Sequence, residues 1–180
     1  MVQEFTVHPK PQNKNSRIVF LILFLVSVLG FVTYLFMDRY RGLVGFASVL
    51  VLVLALLVYT KYISVEFYYD IALDSEGVPM FVVRQTIGKR QTTLCRLDLA
   101  DILKIEKESA SERRDHKTDY GVVKYIYAPT MNPPISYRMT VSSRYEKAEV
   151  IIECNDEFAK MLKKYSAEAR AIRQTIDDNE

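Results

Sequence analysis

The sequence predicts an α+β chain in which an N-terminal transmembrane helical hairpin precedes a seven-stranded antiparallel β domain that ends in a helix. Three observations carry that prediction. Two uncharged runs, Ile18 to Met37 and Leu43 to Thr60, are separated only by Asp38-Arg39-Tyr40-Arg41-Gly42. From Val65 onward apolar residues recur at every second position, the period of a strand with one buried face. After Asn155 they recur at steps of three and four, the period of an amphipathic helix.

At 180 residues the chain has room for one ordinary domain and a membrane segment. Its charge is divided. Residues 1–63 hold six basic and two acidic side chains, a net +4, which leaves 18 basic against 20 acidic in residues 64–180, a net −2. A slightly acidic domain without a clustered basic patch excludes nucleic acid as an expected partner.

Residues 1–16, with Pro9, Pro11, Asn13 and Asn15, show no apolar period and are expected to form a mobile tail. Residues 17–62 are expected to form the two-helix anchor. Twenty uncharged residues at 1.5 Å each match a hydrocarbon core roughly 30 Å thick. The competing reading, a cleaved signal peptide, calls for a shorter apolar stretch followed by a small-x-small cleavage pattern, and neither is present. The short polar linker forces the helices antiparallel. Gly45, Ala47, Ser48 and Ala55 are small enough to admit a neighbouring helix, and Tyr34, Tyr40, Tyr59 and Tyr62 fall at the interfacial ends. Lys10, Lys14, Arg17 and Lys61 flank the open end against Arg39 and Arg41 in the loop. The positive-inside bias therefore predicts a two-span plasma-membrane protein whose N-terminus and C-terminal domain are cytoplasmic.

Residues 63–176 are expected to form the soluble domain, with 177–180 as a tail. The first strand is Val65 to Leu73. The turn Asp74-Ser75-Glu76-Gly77 leads to Val78 to Ile87, and Gly88-Lys89-Arg90 leads to Gln91 to Leu97. Ile102 to Lys107 follows a corner at Asp98 to Asp101. A polar stretch from Glu108 to Asp119 leads to Val122 to Ala128, and Pro129, Pro133 and Pro134 bound a loop where no ladder continues. Ile135 to Ser142 and Ala148 to Cys154 complete the seven strands. Asn155 stands at an N-cap, Asp156 and Glu157 occupy the first helical turn, and Phe158, Met161, Leu162, Tyr165, Ala169 and Ile172 form one apolar face.

Val65-Glu66-Phe67-Tyr68-Tyr69-Asp70, the Gly88-Lys89-Arg90 turn and Leu97-Asp98-Leu99-Ala100-Asp101-Ile102-Leu103-Lys104-Ile105 resemble small bacterial membrane proteins that carry a pleckstrin-homology-like domain behind a two-helix anchor. The resemblance spans roughly residues 17–170 and rests on element order more than on an invariant motif. It implies an architecture rather than a reaction.

No phosphate-binding glycine loop, Gly-x-Ser-x-Gly, His-Glu-x-x-His or Cys-x-x-Cys occurs. Cys95 and Cys154 have no ligand-spaced companion and are read as small apolar residues. His116 stands in the charge-rich Arg113-Arg114-Asp115-His116-Lys117 and is read as solvated. Asp98 and Asp101 are read as corner residues rather than a catalytic pair. No catalytic, metal or cofactor residue is expected, and no cofactor. The lipid bilayer and a protein in the membrane are the expected partners. The first hairpin turn, basic in lipid-binding pleckstrin-homology domains, is acidic here, so headgroup binding at that turn is not expected. Lys89, Arg90, Arg113, Arg114, Lys117, Arg144 and Lys147 are instead the candidates for contact with an anionic lipid surface. The expected function is a non-enzymatic, membrane-anchored interaction module. An anionic-lipid sensor and an accessory subunit of a membrane enzyme or transporter are the alternatives.

Overall fold

Two helices of this chain leave most of their apolar side chains exposed. The computed structural model describes residues 5–9, 14–74, 77–116, 120–142 and 147–177, the side chains of 176 and 177 excepted. It divides into one unit of Gln12–Val65 and another of Met1–Pro11 with Glu66–Glu180.

In the first unit, α1 (Lys14–Phe36) and α2 (Arg41–Val58) are joined by a short loop, and α2 ends in a π-helical turn, Tyr59–Ile63. Lys14–Phe36 and Arg41–Ile63, 23 residues each, are long and apolar enough to cross a membrane. Leu21, Leu25, Leu29, Leu43, Phe46 and Leu57 are all exposed. The helices meet along a seam of small residues. Ser27 Oγ donates to the Ser48 carbonyl at 3.0 Å. A Cβ at Gly30 would stand 2.2 Å from Ser48 Oγ, so the close approach requires glycine there. Ala55 and Ser48 are buried, whereas Ala47, expected in the seam, is exposed because it stands one residue and about 100° away from Ser48. Arg41 lies over the Tyr34 ring at 4.7 Å, which keeps a cation at the loop end in contact with an aromatic face.

Among its described residues the second unit contains two four-stranded sheets. The first has the order β1 (Phe5–Val7), β2 (Val65–Leu73), β3 (Pro79–Ile87) and β4 (Arg90–Asp98). Seven of the eight strands correspond to those expected, each within a residue or two at its ends. The eighth, β1, corrects the expectation of a tail over residues 1–16: Phe5, Thr6 and Val7 pair antiparallel with Ile71, Asp70 and Tyr69. His8 Nδ1 lies 3.0 Å from the Phe67 carbonyl, and its ring stacks on Tyr68 at 4.5 Å. Residues 1–4 and 10–13 of that segment lie outside the described residues, and α1 begins at Lys14, within it.

Gly88 (φ +60°) takes the first central position of a two-residue turn, and Arg90 pairs with Ile87 at the head of β4. A 3₁₀ turn, Leu99–Asp101, then leads into the second sheet, ordered β5 (Ile102–Ser109), β7 (Ile135–Ser142), β8 (Lys147–Ile152) and β6 (Val123–Tyr127). Here the antiparallel expectation fails at one ladder. β6 runs parallel to β8, which is inserted between β6 and β7. The proline-rich connection over 128–134 is too long for a tight hairpin, and it spans the width of the intervening strand.

The helix α3 (Ala110–Asp115) stands in the stretch expected to be merely polar. Ser109 and Glu112 form a reciprocal capping box at its start. The final helix, α4 (Asp156–Asp177), is capped as expected: Asn155 Oδ1 accepts from the Phe158 amide at 3.0 Å. Residues 178–180 of the expected tail lie outside the described residues. Phe158 and Leu162 are fully buried, and the Tyr69, Phe81 and Phe158 rings stand 6.3 Å apart pairwise, joining β2, β3 and α4 in one core. Phe5 adds the β1 ring, 6.1 Å from Phe158. Ile172, expected on the apolar face, is 62 % exposed.

Candidate functional site

Alternation along β2 sends Phe67, Tyr69 and Ile71 into the core and directs Asp70 and Ala72 to the opposite face of the sheet. That face is not flat. It carries a cavity of about 330 Å³, walled by Asp70 and Ala72 from β2, by Met80, Val82 and Arg84 from β3, and by Thr93 and Arg96 from β4. Thr6 of β1 closes one side. A register shift between Val83 and Arg84 keeps Thr93 opposite Arg84 on this face.

Charge in the cavity is paired in part. Asp70, only 6 % exposed, receives both Nε and Nη2 of Arg84, the second at 2.8 Å. This fork-to-fork pair fixes the plane of the guanidinium, and the Asp70 carboxylate raises the Arg84 pKa above the usual arginine value. Arg96 is exposed and, among the described residues, makes no ion pair. A second cavity, about 340 Å³ and mainly apolar, lies between Gly77–Pro79, Ala100 and the end of α4.

The residues singled out from the sequence divide into three groups. Lys89, Arg90, Arg114 and Lys147 are exposed, while Lys117 and Arg144 lie outside the described residues. Arg113 turns inward instead, donating to Ser136 Oγ at 3.1 Å and to the Pro133 carbonyl at 2.9 Å, and partial burial lowers its pKa. His116 stays exposed, in line with its reading as solvated, while its Nε2 lies 3.0 Å from Glu149 Oε1. The second sheet also buries two carboxylates. Glu108 and Glu149 flank the almost fully buried Arg138, whose Nη2 is 2.7 Å from Glu108 Oε1 and whose Nη1 is 3.6 Å from Glu149 Oε1. The Arg113 guanidinium lies near enough to Glu108 and Glu153 for their charges to act on it.

Asp98 and Asp101 are corner residues, as read. Asp98 Oδ1 caps the Ala100 amide at 2.8 Å, and Arg173 of α4 reaches both carboxylates, at 2.5 and 2.7 Å. The cysteines are free. Burial pushes the Cys154 thiol up to about 12 and raises that of Cys95, so both stay protonated near neutrality, in keeping with their reading as small apolar residues. Among the described residues no group of three or more His, Cys, Asp or Glu is placed to hold a metal ion.

The cavity on the first sheet was not read from the sequence, where Asp70, Arg84 and Arg96 are simply the polar halves of three alternating strands. A usable signal was present: each of the three outer faces carries a charge, and the signs are opposite on β2 and β3.

The family model described as "Bacterial PH-like domain (DUF6106)" matches residues 1–171, the helical hairpin included. No curated protein and no solved structure matches the chain. With two apolar helices, two sheets and a capping C-terminal helix beneath one family match that spans nearly its whole length, the chain belongs to the bacterial PH-like domain family.

Proposed function

We propose that the chain is a non-enzymatic interaction module held at the cytoplasmic face of the plasma membrane by its helical hairpin. The observation that carries this reading is the pairing of β1 with β2. These strands lie on opposite sides of the hairpin in sequence, yet they share one sheet. The segment before α1 and the domain after α2 must then occupy the same compartment, which requires both helices to cross the bilayer or neither. Their length and exposed apolar surface favour crossing. Arg17 and Lys61 beside the open end, against Arg39 and Arg41 in the loop, together with Lys10 and Lys14, favour a cytoplasmic domain.

Topology reporters fused in turn at Met1, at Glu180 and within Asp38–Arg41 test it. Cytoplasmic signals from both ends and an external signal from the loop are expected. Opposite compartments for the two ends would overturn the hairpin, and an external signal from both ends would overturn the sidedness.

A second reading, contact with anionic lipid, is favoured by Lys89 and Arg90. Both are exposed at the turn that ends β3, which by antiparallel pairing lies at the end of the sheet where β2 begins.

A further inference from the structure

We infer that the cavity on the outer face of the first sheet is a binding site for the carboxylate of a small organic acid with a short apolar stem. A solvent-facing sheet surface ordinarily leaves its charged side chains in water. Here the Asp70 carboxylate is buried on that surface and forked by Arg84, so the wall of the cavity is preorganised. The fork engages Nε and Nη2 of Arg84, and no bond of Nη1 to the protein occurs among the described residues. Arg96 adds a second guanidinium without an ion pair, and the Thr93 hydroxyl is a further donor on the same face. Met80 and Val82 are half-buried in the cavity and supply the apolar contact.

Charge selects the ligand. Asp70 neutralises Arg84, which leaves Arg96 as the attraction for an incoming anion. With Asp74 also on the lining, the two carboxylates and two guanidiniums sum to zero, so a monoanion adds one unbalanced negative charge where a dianionic phosphate would add two. The volume of about 330 Å³ suits a molecule of metabolite size. The site depends on neither the lipid contact nor the sidedness proposed above.

Saturation-transfer NMR on the whole chain in a neutral detergent, with butyrate, butylammonium and inorganic phosphate as probes, tests the inference. Butyrate is expected to receive saturation, with empty micelles as the blank, and butylammonium is not. Arg96→Gln should weaken butyrate about tenfold or more, the loss expected for one charge-assisted contact. Thr93→Val should weaken it less, and the exposed Lys163→Gln should leave it unchanged. Both Arg96 and Thr93 are exposed, so these variants keep the fold. Competition by phosphate at lower concentration than butyrate would overturn the choice of a carboxylate. Equal response to butyrate and butylammonium, or butyrate binding indifferent to Arg96→Gln, would overturn the site itself.

Discussion

Single residues decide how charge is held in this fold. Asp156 shows the principle outside the cavity. Its carboxylate accepts from the Tyr137 hydroxyl and from Lys107 Nζ at 2.9 and 3.0 Å, and these bonds, Tyr137 first, lower its pKa below the usual aspartate value. A group whose folded pKa is depressed contributes stability above its unfolded pKa of about 3.9, and that contribution is lost as the pH falls through the folded value. Asp156→Asn should therefore lower the melting temperature at neutral pH and flatten its decline below about pH 4, measured by thermal unfolding of both proteins from pH 7 to 2.5. Parallel pH profiles would remove Asp156 from the acid response. The sequence marks Asp156 as a first-turn carboxylate. Its partners, 19 and 49 residues away, are products of folding alone.

Among elements, those with a full period were legible and the short ones were not. Seven strands of five to nine residues and the 22-residue α4 each repeat their apolar pattern often enough to declare it. The three residues of β1 hold a single repeat, too little to declare a strand, and α3 is hidden within a charge run, although Ser109-x-x-Glu112 is a recognisable capping box. The parallel β6–β8 ladder was out of reach for another reason: alternation specifies which face of a strand is buried, not which strand lies beside it. The joint between elements is Phe158, fully buried where α4 meets Tyr69 and Phe81. Phe158→Ala should cost about 3–5 kcal/mol, the usual loss for a buried aromatic, read from denaturant unfolding of the chain in detergent. Unfolding at nearly the parent midpoint would place α4 outside the core.

At the scale of the molecule, the charge on the β3–β4 turn offers a test of lipid contact. Each basic residue near an anionic leaflet contributes about 1 kcal/mol. In lipid nanodiscs, amide exchange over residues 87–91 should slow when anionic lipid replaces zwitterionic lipid. Lys89→Glu with Arg90→Glu should remove the difference. Equal exchange in both discs would exclude that contact.

The sequence by itself determined the apolar hairpin, the period of each long strand, the cap of α4 and the kinship of the architecture, because these depend on residues near one another along the chain. Only the tertiary structure decided that β1 joins β2 across the hairpin, that β8 separates β6 from β7, and that Arg113 turns inward. It alone assembled Asp70, Arg84 and Arg96 around one cavity. Each of these outcomes depends on which distant strands become neighbours, and pairing between distant strands is set by the packing of the whole domain rather than by any local pattern.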